Sequence, residues 1–310
     1  MRLNALLFSR KRKGFVLVSV LMLGVMLISC ATAFSWFARM QVRSIGSELQ
    51  TLTNRTMSHV LANAIISVFS EVSSRSSYDS PTQRWFQPFV FNVPDMGIWV
   101  VQVVPLDDKI PLRNLFLPDG NTLRREMTDV WRDMWDKLQH RELEQVTLDF
   151  MDRNDKPRVG SVEYDYFLNR PPYDISELLI LSNDITPDML NGSGTVLGLS
   201  DYCTVYSDGK INLNVAPLHV MELLPGLDTG GLAERIVRTR MEEPLTGMND
   251  LQRLPGASGR TSTLLMNIAG FKSRYLEIKL ERVSEDGEAG SSYRVIFDRN
   301  SKQIVKWEEL

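Results

Sequence analysis

The sequence predicts an α+β chain behind a single membrane-spanning helix. Three observations carry this: an uncharged apolar run from Phe15 to Ala38, β-patterned segments at both ends of the remainder, and helical periodicity between them. At about 1.5 Å per residue the apolar run reaches roughly 36 Å, more than the hydrocarbon core of about 30 Å.

Arg2, Arg10, Lys11, Arg12 and Lys13 precede this run, and no acidic residue occurs before Glu48. Basic residues stay on the cytoplasmic side, so the N-terminus is expected inside a bacterial inner membrane and everything after Arg39 in the periplasm. The net charge of −3 leaves the rest of the chain acidic, which argues against a general nucleic-acid binder. Cys30 lies in the apolar run and Cys203 far away in polar sequence, so no disulfide is expected between them.

Three processing fates compete at the N-terminus. A secretory signal peptide needs a shorter apolar core followed by polar sequence, whereas this run continues to Trp36 and Phe37. Leu27-Ile-Ser-Cys30 would pass as a lipid-attachment box, but the residues after Cys30 are apolar rather than a polar tether. The third fate is type IV prepilin processing: a basic leader ending at Gly14, then Phe15 and an unbroken apolar helix. That reading puts cleavage between Gly14 and Phe15, with Phe15 as the methylated N-terminus. Pilins usually carry Glu at the fifth mature position, and here that position is Ser19.

Beyond the span, Val42, Ile45, Leu49, Leu52, Met57, Val60, Leu61, Ala64, Ile65, Val68 and Phe69 recur at helical spacing, interrupted at Thr53 to Thr56. This stripe is expected to pack on the chain's own globular part. Ser73 to Thr82 is polar and reads as a loop. Gly97 to Pro105 reads as a strand that Lys109 to Leu112 extends, and Tyr275 to Val283, Tyr293 to Asp298 and Gln303 to Trp307 read as an antiparallel meander. Between them, Thr122 to Gln145, Ile175 to Leu181 and Leu218 to Leu224 read as helices of a nested α domain. Trp131 and Trp135 lie four apart, a spacing that suits a core better than a binding surface.

Several segments resemble those of the minor pseudopilin K family of type II secretion systems. Lys210-Ile-Asn-Leu-Asn-Val-Ala-Pro217, Pro171-Pro-Tyr173 with Asp174-Ile-Ser-Glu-Leu178, and Leu251-Gln-Arg-Leu-Pro-Gly256 follow the basic leader in the family's order, and the family also lacks the fifth-position Glu. The resemblance implies a pilin-like fold, a long N-terminal helix against a small antiparallel sheet interrupted by a large inserted α-helical domain. It divides the chain into a leader at 1–14, a transmembrane helix at 15–38, its amphipathic continuation at 39–72, a first pilin-like part at 83–118, the insertion at 119–270 and a β-meander at 271–310. It further implies a tip subunit that initiates or caps the pseudopilus. Its partners would be minor pseudopilins I and J, with H and the major pseudopilin G below, and the prepilin peptidase.

The stretch Asp149-Phe-Met-Asp152-Arg-Asn154-Asp155, with Glu163 and Asp165 shortly after, gathers oxygen donors of the kind calcium takes. The family binds calcium at a similar place, and Asp152, Asn154, Asp155, Glu163 and Asp165 are the candidate ligands. Lys156 interrupts the pattern, and a solvated acidic loop remains the alternative.

Leu223-Leu-Pro-Gly226 and Leu254-Pro-Gly256, each followed by helical sequence, resemble helix-hairpin-helix turns, whose amides in other proteins hold a phosphate. They support a rival reading, a membrane-anchored DNA or cargo receptor. Against DNA, Arg235, Arg238, Arg240, Arg253 and Arg260 are offset by Glu222, Asp228, Glu234, Glu242, Glu243 and Asp250. His59, His140 and His219 are scattered and no catalytic motif occurs, so the chain is not expected to be an enzyme.

Overall fold

The computed structural model describes residues 4–94, 97–181, 184–228, 230–283 and 289–310. The first three residues of the expected leader lie outside them. The chain divides into two units, Met1–His59 and Val60–Leu310.

The first unit is helical. Helix α1 runs over Asn4–Ser73, so Gly14, Phe15 and Ser19 all stand within it and its last turns belong to the second unit. Its apolar stretch fits a single-pass membrane anchor, with a mean hydropathy of 2.5 over its best window. Three hydroxyls inside the span are satisfied by the helix itself: Ser19 Oγ donates to Phe15 O at 3.0 Å, Ser29 Oγ to Val25 O at 2.8 Å and Thr32 Oγ1 to Ile28 O at 3.0 Å. The interruption in the apolar stripe does not break the helix, because Thr53 and Thr56 turn their hydroxyls onto Leu49 O and Leu52 O, each at 2.8 Å.

The expected packing of that stripe needs correction. Val42, Ile45, Leu49, Leu52 and Val60 are exposed, and the buried apolar residues of α1 are Ala62, Ile65, Ile66 and Phe69 near its end. The sheet of the second unit stands against the helix there. Phe69 meets Phe86 at 5.6 Å and Phe297 at 5.9 Å between ring centroids.

The second unit is built on five antiparallel strands: β1 (Phe89–Val93), β2 (Gly97–Pro105), β7 (Tyr275–Val283), β8 (Ala289–Asp298) and β9 (Gln303–Glu309), in that order across the sheet. The pairings Val103 with Ile278 and Ile278 with Val295 line up buried aliphatic residues on one face. Strand β1 is an edge strand whose middle three residues are exposed, and no apolar alternation marks it.

Strands β2 and β7 are neighbours in the sheet, yet the whole insertion lies between them in sequence. It holds helices α2 (Arg125–Lys137), α3 (Leu143–Met151), α4 (Pro187–Asn191), α5 (Leu199–Tyr202), α6 (Leu218–Met221), α7 (Leu232–Thr239), α8 (Met248–Arg253) and α9 (Gly259–Leu265). Two short parallel pairs join them, β3 (Ile110–Pro111) with β4 (Cys203–Thr204) and β5 (Ile211–Asn212) with β6 (Ala269–Gly270). The segment expected to extend the main sheet after Pro105 therefore pairs inside the insertion instead. The helix expected over 122–145 is two helices, because the chain turns left-handed at Gln139 (φ 62°) and His140 N donates to Trp135 O at 3.0 Å, closing the end of α2. Met127, Val130, Trp131, Met134 and Trp135 face inward from α2, and the two indoles meet edge to face at 5.9 Å in the core.

A buried polar seam ties the insertion to the sheet. Just past β2, Asp107 accepts hydrogen bonds from Tyr275 N at 2.9 Å and Asp208 N at 3.0 Å, and its carbonyl accepts from Asn212 N at 2.6 Å. Asn212 Nδ2 donates to Ser273 Oγ at 3.0 Å, and Ser273 N donates to Asp79 at 2.7 Å. Asn214 makes a reciprocal pair with the Leu245 backbone, donating to its carbonyl at 2.8 Å and accepting from its amide at 2.9 Å. Arg240 completes the seam by donating to Leu213 O and Ala216 O at 2.7 and 2.6 Å.

Replacing Asn214 with Ala strands two buried backbone groups, each costing about 1–3 kcal/mol. Thermal denaturation of Asn214→Ala is expected to show a loss of about 2–6 kcal/mol, the sum of those two penalties.

Candidate functional site

Asp149 and Asp152, three residues apart at the end of α3, are both fully buried, and Arg158 neutralises them together. Its Nε lies 3.0 Å from Asp149 Oδ1 and its Nη2 2.8 Å from Asp152 Oδ2, while Arg158 N donates to Asp149 Oδ2 at 2.9 Å. Asp152 also accepts from Asn154 N at 3.2 Å, and Asn154 Oδ1 accepts from Lys156 N at 2.9 Å. These Asx turns set the path of the loop.

Glu163 returns to this group. Both its carboxylate oxygens are buried without a hydrogen-bond partner. Burial and the like charges of Asp149, Asp152 and Asp155 push its pKa up to about 7. Burial likewise raises that of Asp152. Of the five sequence candidates, Asp152, Asp155 and Glu163 are thus within electrostatic reach of one another, the Asn154 side-chain oxygen is engaged in its turn, and Asp165 is exposed outside these contacts. Asp149 belongs to the group and was not among the candidates. Its three-residue spacing from Asp152 at a helix end was the available signal. Among the described residues no three His, Cys, Asp or Glu side chains converge closely enough to hold a metal ion.

The two Leu-Pro-Gly hairpins connect α6 to α7 and α8 to α9, and they pack on one another. Gly226 (φ 82°) and Gly256 (φ 91°) need the left-handed backbone, and a Cβ on the former would stand 3.2 Å from Thr261 Cγ2 in α9. One amide donor at each is used internally: Gly226 N donates to Asp228 Oδ1 at 3.1 Å, and Thr261 N donates to the capping Ser258 Oγ at 3.1 Å. Arg240 is spent on backbone carbonyls and Arg253 lies 3.2 Å from Asp250. A phosphate arriving here would meet the carboxylates of Asp228 and Asp250.

The fold has a solved counterpart. The chain superposes on a chain of the GspK-GspI-GspJ complex of the enterotoxigenic Escherichia coli type 2 secretion system, with a TM-score of 0.61 over 87% of this chain and 99% of that one, at 16% sequence identity. The chain has a pseudopilin-like fold. No family model and no curated protein sequence matches it.

The pKa of Glu163 is raised above its unfolded value, so its contribution to stability is complete at acid pH and is lost as pH rises through about 7. The melting temperature is expected to fall between pH 5 and pH 8, and Glu163→Gln is expected to flatten that fall. An unchanged slope in the variant would place the effect elsewhere.

Proposed function

We propose that this chain is a K-type minor pseudopilin of a type II secretion system. The observation that carries the reading is the helical insertion between neighbouring strands β2 and β7 behind an apolar anchor, in a chain whose fold superposes on one of the GspK-GspI-GspJ complex. On this reading the anchor crosses the bacterial inner membrane with its N-terminus cytoplasmic and the globular unit periplasmic. Prepilin peptidase cuts between Gly14 and Phe15, and the mature chain joins the tip of the pseudopilus with I- and J-type subunits, above H and the major pseudopilin G.

The residues suit a tip. A carboxylate at the fifth mature position would need a partner within the membrane. Ser19 satisfies its hydroxyl on Phe15 O, and so asks for none. The insertion adds bulk that a repeating fibre subunit would have to accommodate above it, which favours initiating or capping the fibre. The role is that of an assembly component rather than an enzyme. The rival DNA-receptor reading is weakened by the acidic side chains at the hairpins, Asp228 on Gly226 N and Asp250 beside Arg253.

The acidic loop is the second part of the proposal. Asp152, Asn154, Asp155, Glu163 and Asp165, joined by Asp149, fit calcium in donor type and charge, and the partnerless oxygens of Glu163 are the feature that asks for a cation. Arg158 takes two of these carboxylates, so the loop would have to close further around an ion.

Two outcomes follow. Coexpression with I- and J-type subunits of the same system is expected to yield a stable ternary complex by size-exclusion chromatography with light scattering. Recovery of this chain alone would count against the assembly role. Calcium titration of the full chain in detergent is expected to raise its melting temperature, with no rise in Glu163→Gln. An equal response in both proteins would remove the loop from consideration.

A further inference from the structure

The exposed helix face just beyond the apolar span carries a pattern that the pseudopilin reading does not use. Phe34, Ser35, Ala38, Arg39, Val42 and Arg43 line a shallow cleft of about 520 Å³ on α1. Arg39 and Arg43 are one turn apart on the same side, which puts two guanidinium groups within reach of one anion. No acidic residue precedes Glu48, and among the described residues neither arginine has an ion-pair partner.

Ser35 differs from the other hydroxyls of the span. Ser19, Ser29 and Thr32 return theirs to backbone carbonyls, whereas Ser35 has no hydrogen bond among the described residues. It stands one turn before Arg39, at the apolar end of the cleft.

Depth decides what can reach this place. A hydrocarbon core of about 30 Å takes up some 20 residues from Phe15, which ends it near Phe34. Arg39 then starts roughly 7 Å further along the axis, at the outer edge of a headgroup layer about 5–8 Å thick, and Arg43 roughly 13 Å, about 5 Å beyond that layer. Helix side chains lean toward the N-terminus, here toward the membrane, and long arginines extend that lean into the headgroups. Phe34, Trp36 and Phe37 supply aromatic rings at the same level.

We infer that Ser35, Arg39 and Arg43 form a seat for the phosphate of an anionic phospholipid, in the leaflet at the C-terminal end of the span. Charge complementarity and continuity with the membrane-embedded helix select that occupant. The inference rests on α1 spanning a membrane and not on the pseudopilin assignment. If the leader is removed after Gly14, these two arginines become the basic residues nearest the span, and the electrostatic hold passes from one leaflet to the other.

Trp36 is the single tryptophan of the apolar helix before Trp85, so it reports on lipids beside the seat. The full chain is reconstituted in phosphatidylcholine vesicles containing a minority of phosphatidylglycerol, with bromine on the acyl chains of one lipid or the other. Trp36 quenching is expected to show phosphatidylglycerol enriched about fivefold for each arginine engaged, from about 1 kcal/mol per contact. Arg39→Gln with Arg43→Gln is expected to abolish the enrichment while leaving quenching by brominated phosphatidylcholine intact, which confirms insertion. If the double variant inserts poorly, Arg43→Gln alone is expected to lower the enrichment about fivefold. Equal quenching by both lipids in the unaltered chain, or a preference that survives the substitutions in an inserted chain, would overturn the inference.

Discussion

The globular unit depends on a junction of buried polar groups around Asp107. A sheet interrupted between adjacent strands by a long insertion gains nothing from the insertion unless both of its ends are held. Asp107 holds the departing end to the returning one through Tyr275 N, and holds both to the interior of the insertion through Asp208 N and Asn212 N. Asp79 secures the return by bonding Ser273 N and pairing with Arg299 at 2.8 Å. Burial pushes the pKa of Asp107 up to about 7 against the pull of its amide donors, so the junction is costly as well as specific. The apolar core supplies stability on either side, and the seam fixes how the chain passes from sheet to insertion and back.

A second regularity concerns where polar groups find partners. Ser19, Ser29 and Thr32 return their hydroxyls to the helix, one amide at each hairpin is taken, by Asp228 and Ser258, and Arg240 is spent on carbonyls. Groups satisfied in this way are poor at catalysis or phosphate capture, which accords with a component that acts by its shape and its anchor. Glu163 stands out in the insertion as a carboxylate with both oxygens buried and unpartnered. Its unsatisfied oxygens beside three acidic neighbours set the acidic loop apart from the structural turns around it.

Much of this was legible in the sequence where one physical signal dominated. The uncharged run before Arg39 and the apolar alternation of 97–105 and 275–283 correspond to α1, β2 and β7. Signals failed where tertiary partners decide. Edge strand β1 buries too little to alternate, the chain after Pro105 leaves the sheet because Asp107 anchors it elsewhere, and Gln139 takes a left-handed turn that its residue type does not announce. The Lys210 to Pro217 segment was recognisable as a word before its physics was visible: Asn212 and Asn214 are fully buried hydrogen-bonding hubs. At the acidic loop, residue types were readable, but the inclusion of Asp149 and the counter-charge of Arg158 depended on how the loop folds back.

The assignment turns most directly on the chemistry of the mature N-terminus, since the same apolar helix serves a prepilin, a lipoprotein or a signal peptide. Intact-mass and N-terminal peptide mass spectrometry of the chain recovered from bacterial membranes decides among them. The account predicts a chain beginning at Phe15 with a methylated amine. A chain beginning at an acylated Cys30, or one cleaved beyond Ala38, would contradict it.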